Sequence, residues 1–87
     1  MLGFLYQINV KSDIAGERGI PKQPVLSAIV RQQGLEGDFN RYRHEKKHDD
    51  PDKAVLVMPI EMLIKLEHDY GWPIDAGHLG ENLTTVA

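Results

Sequence analysis

Cysteine is absent from this 87-residue chain. Its absence excludes disulfides, thiolate metal sites and a cysteine nucleophile within these residues. Long hydrophobic runs are lacking too: the longest apolar stretches, residues 54–60 and 62–64, are far shorter than the roughly 20 residues that span a bilayer. We therefore predict neither a transmembrane segment nor a membrane partner.

A leader sequence and an excess of positive charge are also missing. The first residues show no basic region and no small-residue cleavage site, which predicts a cytoplasmic protein. The chain contains ten Lys and Arg and thirteen Asp and Glu, which gives a net charge of -3. Because a mildly acidic surface repels a phosphate backbone, we predict no nucleic-acid partner. The remaining composition is ordinary for one small globular domain.

Large apolar side chains occupy every second position from residue 2 to residue 10. Such alternation places the apolar side chains on one face of an extended strand and predicts a half-buried strand. The apolar positions are Leu2, Phe4, Tyr6, Ile8 and Val10.

The middle of the chain alternates between turn formers and short apolar segments. Residues 11–22 are rich in turn formers and predict an exposed loop, and residues 24–30 (PVLSAIV) predict a second strand. Two glycines in residues 34–38 (GLEGD) predict a chain reversal. Residues 39–53 are the most polar segment and predict a solvated loop.

A helix is predicted from Pro59 to Tyr70. Residues 54–58 before it predict a short strand buried on both faces, although periodicity alone does not separate such a strand from a helical turn. Proline suits the first helical position, and Gly71 suits a left-handed C-terminal cap. The apolar residues of this helix recur at spacings of 1, 3 and 4, which predicts one packed face. They are Met62, Leu63, Leu66 and Tyr70.

Tyr70 and Trp72 are interpreted as core aromatics at the helix end, and Glu61 and Lys65 as an i,i+4 ion pair.

The end of the chain predicts a turn and a last strand. Residues 75–78 predict a turn, and a strand should begin near Asn82. Together these elements predict an α+β fold, mainly β, with one packed helix.

Four short motifs follow one another along the chain: GIPKQPV at residues 19–25, GLEGD at 34–38, AVLV at 54–57 before the helix, and GENLTT at 80–85. In this order they resemble the G-x-P-K-x-P-V, G-L-x-G-D, strand-plus-helix and G-E-N-L-T signatures of the MOSC domain family. That family is named for the C-terminal domain of molybdenum cofactor sulfurases.

The resemblance implies a partial MOSC-type β-barrel, in which residues 1–87 form a single incomplete domain. Typical members continue through further strands that close the barrel and carry the proposed sulfur-carrying cysteine. The resemblance also implies molybdenum cofactor as ligand, with molybdenum ion and pyridoxal phosphate binding among the properties of the family. Sulfur transfer or molybdenum-dependent reduction of N-hydroxylated compounds would be the activity. Because no cysteine is present, we expect no activity from this chain alone.

Seven residues are candidates for contact with an anionic cofactor: Lys22, Asp38, Arg41, Arg43, Glu81, Asn82 and Thr84. The arginines, with Lys46 and Lys47, offer forked and point-charge donors to a phosphate, or they are solvated charges. Glu81, Asn82 and Thr84 line a pocket or form a polar turn that caps backbone groups. A role in the turn also explains Asp38.

His44 and His48 stand four residues apart, beside several carboxylates, and a helical turn would bring both imidazoles to one divalent metal. The alternative is a solvated charge run, and we assign no metal ligand. Many relatives have a His-Gly-Gly element where this chain has residues 50–52 (Asp-Pro-Asp).

A second function class is a non-catalytic chain, either a binding module or a truncated and functionally silent domain. An incomplete barrel exposes strand edges, so the chain would self-associate or pair with a complementary chain.

Overall fold

The computed structural model describes residues 3–14, 20–39, 41–46, 48, 50 and 54–87. Within them the chain has an α+β fold made mainly of strands, which confirms the predicted class. The elements in chain order are β1 (Phe4–Val10), β2 (Gln23–Val25), β3 (Val30–Arg31), β4 (Gly34–Leu35), α1 (Arg41–Lys46), β5 (Val57–Pro59), α2 (Ile60–Tyr70) and β6 (Leu83–Val86).

Four strands form the main sheet in the order β2-β1-β6-β5. β1 is antiparallel to both neighbours: Ile8 lies opposite Val25 of β2 and opposite Leu83 of β6. β5 runs parallel to β6, and α2 packs against this pair of strands. Among the described residues β2 and β5 have no further neighbour, so this sheet is open and does not close into a barrel.

β1 confirms the predicted first strand, but its apolar side chains are not buried as expected. Phe4 is 62% exposed and Tyr6 is 56% exposed, whereas Asn9, on the other alternation, is completely buried. Alternation determines which side chains share a face, but burial requires another element to pack over that face. In the described part of the chain, nothing covers the outer end of β1.

The second predicted strand, residues 24–30, is wrong in extent. Only Gln23–Val25 joins the sheet, and Leu26 is fully exposed. The chain then forms a separate hairpin, in which Val30 pairs with Leu35 and Arg31 with Gly34. An apolar segment becomes a strand only where a partner is in register, so β-propensity alone overestimates the length of β2.

The glycine-rich turn at residues 34–38 is confirmed. The amide of Asp38 donates to the carbonyl of Leu35 at 3.0 Å, and both Gly34 and Gly37 have positive φ. The chain also reverses just before this turn, at the two residues that separate β3 from β4.

The predicted solvated loop at residues 39–53 contains a helix, α1, and a buried arginine. The guanidinium of Arg43 donates at 3.0 Å to the side-chain and backbone oxygens of Gln33 and to the carbonyl of Asp50. These hydrogen bonds connect α1 to the β3–β4 turn. The high content of charged residues, on which the loop prediction rested, does not indicate such contacts. Residues 40, 47, 49 and 51–53 of the predicted loop lie outside the described residues.

The predicted helix is confirmed almost residue for residue. Pro59 is its extended N-terminal cap, and Gly71 ends it at φ 73° by donating its amide to the carbonyl of Glu67 at 2.8 Å. Of the predicted packed face only Leu63 is fully buried, since Leu66 is half-buried and Met62 and Tyr70 are exposed. The preceding strand is shorter than predicted and is not buried on both faces, since Val57 is largely exposed at the edge of the sheet.

Two predictions about side chains around α2 are wrong. Tyr70 and Trp72 are 65% and 69% exposed, and their rings contact each other at a centroid distance of 6.3 Å. Both side chains are therefore largely exposed and do not belong to the core. Lys65 pairs with Asp69 at 2.7 Å rather than with Glu61.

The turn after α2 and the last strand agree with the prediction. The amide of His78 donates to the carbonyl of Asp75 at 3.1 Å, and β6 starts at Leu83. No helix in the described residues has the length and apolar character needed to cross a membrane.

Candidate functional site

A network of polar side chains lies where β1, β6 and two glycine-bearing turns meet. Most of its members are completely or almost completely shielded from solvent, although each carries groups that require hydrogen-bond partners. The members are Gln7, Asn9, Lys22, Asp38, Glu81, Asn82 and Thr84.

Asp38 and Lys22 form the charged part of this polar network. Nζ of Lys22 lies 2.7 Å from Oδ2 of Asp38, and their side chains are only 2% and 4% exposed. Oδ1 of Asp38 accepts the backbone N–H of Lys11 at 2.8 Å. The prediction of an exposed Lys22 is therefore wrong, because the carboxylate of a distant turn draws its ammonium group inward.

Asn82 connects three separate parts of the chain through one amide. Its Nδ2 donates to Oδ2 of Asp38 at 2.9 Å and to the carbonyl of Asn9 at 3.3 Å. Its Oδ1 accepts the N–H of Leu56 at 3.2 Å, just before β5. All the hydrogen-bonding groups of this side chain are thus used to hold β1, the Asp38 turn and the start of β5 together.

Asn9, Thr84 and Glu81 continue the network across the β1–β6 pair. Nδ2 of Asn9 donates to Oγ1 of Thr84 and to the carbonyl of Glu81, each at 3.1 Å. Oγ1 of Thr84 donates to Oε2 of Glu81 at 2.9 Å. Gln7 closes this end by donating its Nε2 to Oδ1 of Asn9 at 2.6 Å.

Glu81 has one satisfied and one unsatisfied oxygen. Oε2 accepts Oγ1 of Thr84 and the N–H of Gly77, both at 2.9 Å. Oε1 is buried and has no hydrogen-bond partner among the described residues.

Gly77 allows the backbone of the 75–78 turn to approach the network. Its φ is 91°, and a Cβ at this position would lie 2.6 Å from the carbonyl oxygen of Lys22. Its own carbonyl accepts the N–H of Lys22 at 2.9 Å. A side chain at residue 77 would therefore separate this turn from the segment that carries Lys22.

A groove of about 540 Å³ lies beside the network, between α2, β1, β2 and residues 74–78. We call it the α2 groove. Lys22 is the one predicted site residue that lines it. A second cleft, of about 500 Å³, lies over residues 5–8 of β1 and residues 24–26.

The structure brings five of the seven predicted site residues together. Lys22, Asp38, Glu81, Asn82 and Thr84 share the polar network, whereas Arg43 lies apart from them, in α1, hydrogen bonded to Gln33 and Asp50. Arg41 is the first residue of α1, and its side chain lies outside what the structure describes.

The remaining basic residues and the histidines do not extend this network. Lys46 is exposed, and Lys47 lies outside the described residues. The ring of His44 packs against Phe39 at 5.3 Å, and His48 is exposed. Across the described residues no three His, Asp or Glu side chains gather in a way that could hold a metal ion.

Gln7 and Asn9 are network residues that sequence reasoning missed. Both occupy the polar positions of the alternating first strand, which a half-buried strand normally presents to water. Nothing in that alternation distinguishes an asparagine facing solvent from one buried against Thr84.

Comparison with known proteins yields one partial similarity and no family assignment. A scan against models of protein families finds no match, and no solved structure matches the chain. The chain is similar to the uncharacterized protein YflK of Bacillus subtilis (strain 168), with 37% identity over 71 residues, which are 80% of this chain and 31% of that protein. The matched segment thus spans about a third of the length of this relative.

Proposed function

We propose that this chain forms the N-terminal part of a MOSC-type domain and supplies part of a cleft for an anionic, molybdenum-cofactor-like or sulfur-bearing ligand. One observation supports the proposal above all. Side chains from three of the motifs, Lys22, Asp38 and Asn82, meet at a single carboxylate oxygen although 44 positions separate Asp38 from Asn82. Motif residues that contact one another in this way are expected to form the structural support of a cleft.

Lys22 would be the cationic contact of the ligand. Its ammonium group has three donors, one of which is donated to Asp38. Asp38 holds this ammonium group at 2.7 Å and offsets its charge, so an anion would have to share Lys22 with Asp38. Asn82 would act indirectly, by fixing the position of the Asp38 carboxylate.

The described residues fit an anionic cofactor only in part. Lys22 is favourable, but Glu67 and Asp75 also line the α2 groove and would repel negative charge. We therefore place the anionic ligand outside the α2 groove, assign Lys22, Asp38 and Asn82 to the frame of the cofactor cleft, and expect further anion-binding donors to come from other polypeptide. No catalytic step is assigned to this chain.

The test is retention of molybdenum cofactor released from a denatured molybdoenzyme. After gel filtration, the protein fraction is oxidised and its pterin fluorescence is measured. Retention is expected for the wild type and a clear loss for the double variant Lys22→Gln/Asp38→Asn, which removes both charges and keeps a polar side chain at each position. Absence of pterin from the wild-type fraction, or equal retention by the double variant, would contradict the proposal.

Assembly is a second candidate function, and the distribution of apolar side chains favours it. Within the described residues only Leu35, Ala54 and Leu63 form the buried hydrophobic set, whereas large apolar side chains on β1, β5 and α2 are exposed. Contiguous exposed apolar surface marks interaction sites. The relative from Bacillus subtilis contains further polypeptide beyond the matched segment, and polypeptide of that kind would cover this surface.

Light scattering of the purified chain tests assembly. Association through the open strand edges predicts a mass above the 9.8 kDa of one chain and a mass that rises with concentration. Lysine at Val57, on the edge strand β5, should reduce the mass by placing charge on that edge. A monomer with a sharp thermal transition would contradict the assembly function.

A further inference from the structure

The α2 groove combines apolar walls with a size suited to small molecules. Its volume of about 540 Å³ lies within the roughly 300–1,000 Å³ of small-molecule sites. The apolar part of its lining comes from four parts of the chain: β1, β2, the first half of α2, and the segment after α2. The residues are Tyr6, Pro24, Ile60, Ile64 and Ile74.

The charges that line the α2 groove are predominantly negative. Lys22 contributes the permanent positive charge of the lining, which the buried carboxylate of Asp38 offsets at 2.7 Å, and His78 adds an imidazole. Two carboxylates remain, on Glu67 of α2 and on Asp75 of the following turn. The side chain of Glu67 makes no ion pair with any described residue.

The carboxylate of Asp75 is only weakly engaged. Its Oδ2 lies 3.9 Å from Nε2 of His78, which is too long for a hydrogen bond. Nδ1 of His78 accepts the N–H of Asp75 at 3.1 Å, so the imidazole is anchored by its other nitrogen. Asp75 can therefore accept hydrogen bonds from a ligand without breaking a strong internal contact.

We propose that the α2 groove binds a small organic cation with an apolar body, of the aryl- or alkyl-ammonium class. The apolar lining would pack against the apolar body of the ligand, and the carboxylates of Glu67 and Asp75 would bind its ammonium group. Tyr6 adds an aromatic side chain to the lining, and aromatic rings attract cations. This inference goes beyond the cofactor function, because it concerns a ligand of opposite charge.

Benzylammonium is a suitable probe, with benzyl alcohol and benzoate as its neutral and anionic counterparts. Each is titrated to millimolar concentration into the 15N-labelled chain. Benzylammonium should shift the amide signals of Gln7, Ile64 and Ala76 around the groove and leave that of Leu35, in the separate hairpin, unchanged. Benzyl alcohol should bind more weakly, benzoate should not bind, and added salt should weaken the binding of benzylammonium.

Charge-removing variants test the two carboxylates. Glu67→Gln and Asp75→Asn should each raise the Kd of benzylammonium about twofold to fivefold, the range that follows from exposed charge pairs. Asp69→Asn is the matched control, since it removes the same charge from α2 at a residue that does not line the groove. It should leave the Kd within twofold of the wild-type value.

Three results would overturn the proposal: no shifts around the groove with benzylammonium, benzoate binding as strongly as benzylammonium, or an equal loss of binding in Asp69→Asn and the two groove variants. None of these results depends on retention of the pterin cofactor, so the two proposals can fail separately.

Discussion

The Nζ of Lys22 lies 2.7 Å from Oδ2 of Asp38, and neither side chain has appreciable contact with water. A buried ion pair of this kind is costly to desolvate, and removal of one partner leaves the other charge uncompensated. The ion pair therefore holds together two segments that are separated in the sequence, and it stabilises the fold only when both charged side chains are present.

Lys22→Met should accordingly lower the free energy of unfolding by about 3–5 kcal/mol, and Asp38→Leu by a similar amount. The double variant should lose less than the sum of the two single variants, because no buried charge is left alone. Urea denaturation of all four proteins gives the coupling energy. Additive losses would show that the ion pair is not an energetic unit.

Asn82→Ala should destabilise the chain through several unsatisfied groups at once. The N–H of Leu56 loses an acceptor and Asp38 loses a donor, at about 1–3 kcal/mol for each buried group left without a partner. Gln32→Ala, in the exposed turn between β3 and β4, is the control and should change stability by less than about 0.5 kcal/mol. Equal urea midpoints for the two variants would contradict the role assigned to Asn82.

Gly77 and Gly71 provide a matched comparison of two left-handed glycines. An alanine at either position adopts an unfavourable positive φ, at roughly 1–2 kcal/mol. At Gly71 a Cβ meets nothing within 4 Å, whereas at Gly77 it would meet the carbonyl oxygen of Lys22 at 2.6 Å. Gly77→Ala should therefore be more destabilising than Gly71→Ala by about 1–3 kcal/mol, measured by thermal or urea unfolding. The reverse order would mean that this turn does not pack against the Lys22 segment.

Trp72→Ala and Leu63→Ala separate the exposed from the buried apolar residues around α2. Leu63 is completely buried and its truncation should cost about 2–5 kcal/mol, whereas Trp72→Ala should stay within about 0.5 kcal/mol. Circular dichroism during urea unfolding provides the measurement. A large loss of stability in Trp72→Ala would support the original interpretation of this residue as a core aromatic.

Sulfur carriage offers a chemical prediction. A persulfide forms on a cysteine thiol, and this chain has none, so incubation with a sulfur donor should leave its mass unchanged under non-reducing conditions. Mass spectrometry resolves the addition of one sulfur atom. A sulfur adduct that a thiol reductant removes would contradict the assignment of this chain to the frame of the cleft alone.

Local features of the fold could be predicted because their causes are local. The helix that begins after Pro59 and ends at Gly71 follows from a fixed φ at one end and a tolerated positive φ at the other. The turn at residues 34–38 follows from two glycines, and β1 follows from alternation. Each of these signals acts over a few residues and does not require a distant partner.

The grouping of the site residues was predicted only in part. The motif order led to Lys22, Asp38 and Asn82, but the sequence did not indicate that they meet at one oxygen or that Lys22 is buried. Asn9 was not predicted at all, because the polar positions of an alternating strand are normally solvated. Likewise, the separation of Arg43 from the polar network depends on where α1 packs.

The sequence by itself determined the α+β class, the limits of α2, the two glycine-bearing turns and the exclusion of thiol chemistry within these residues. These features depend only on composition and on the backbone preferences of residues that are close in the sequence. Only the tertiary structure decided which apolar side chains are covered, which polar ones are buried together, and that the α2 groove has two carboxylates in its lining. Burial and charge balance are properties of neighbours in space, and here those neighbours lie up to 75 positions apart in the chain.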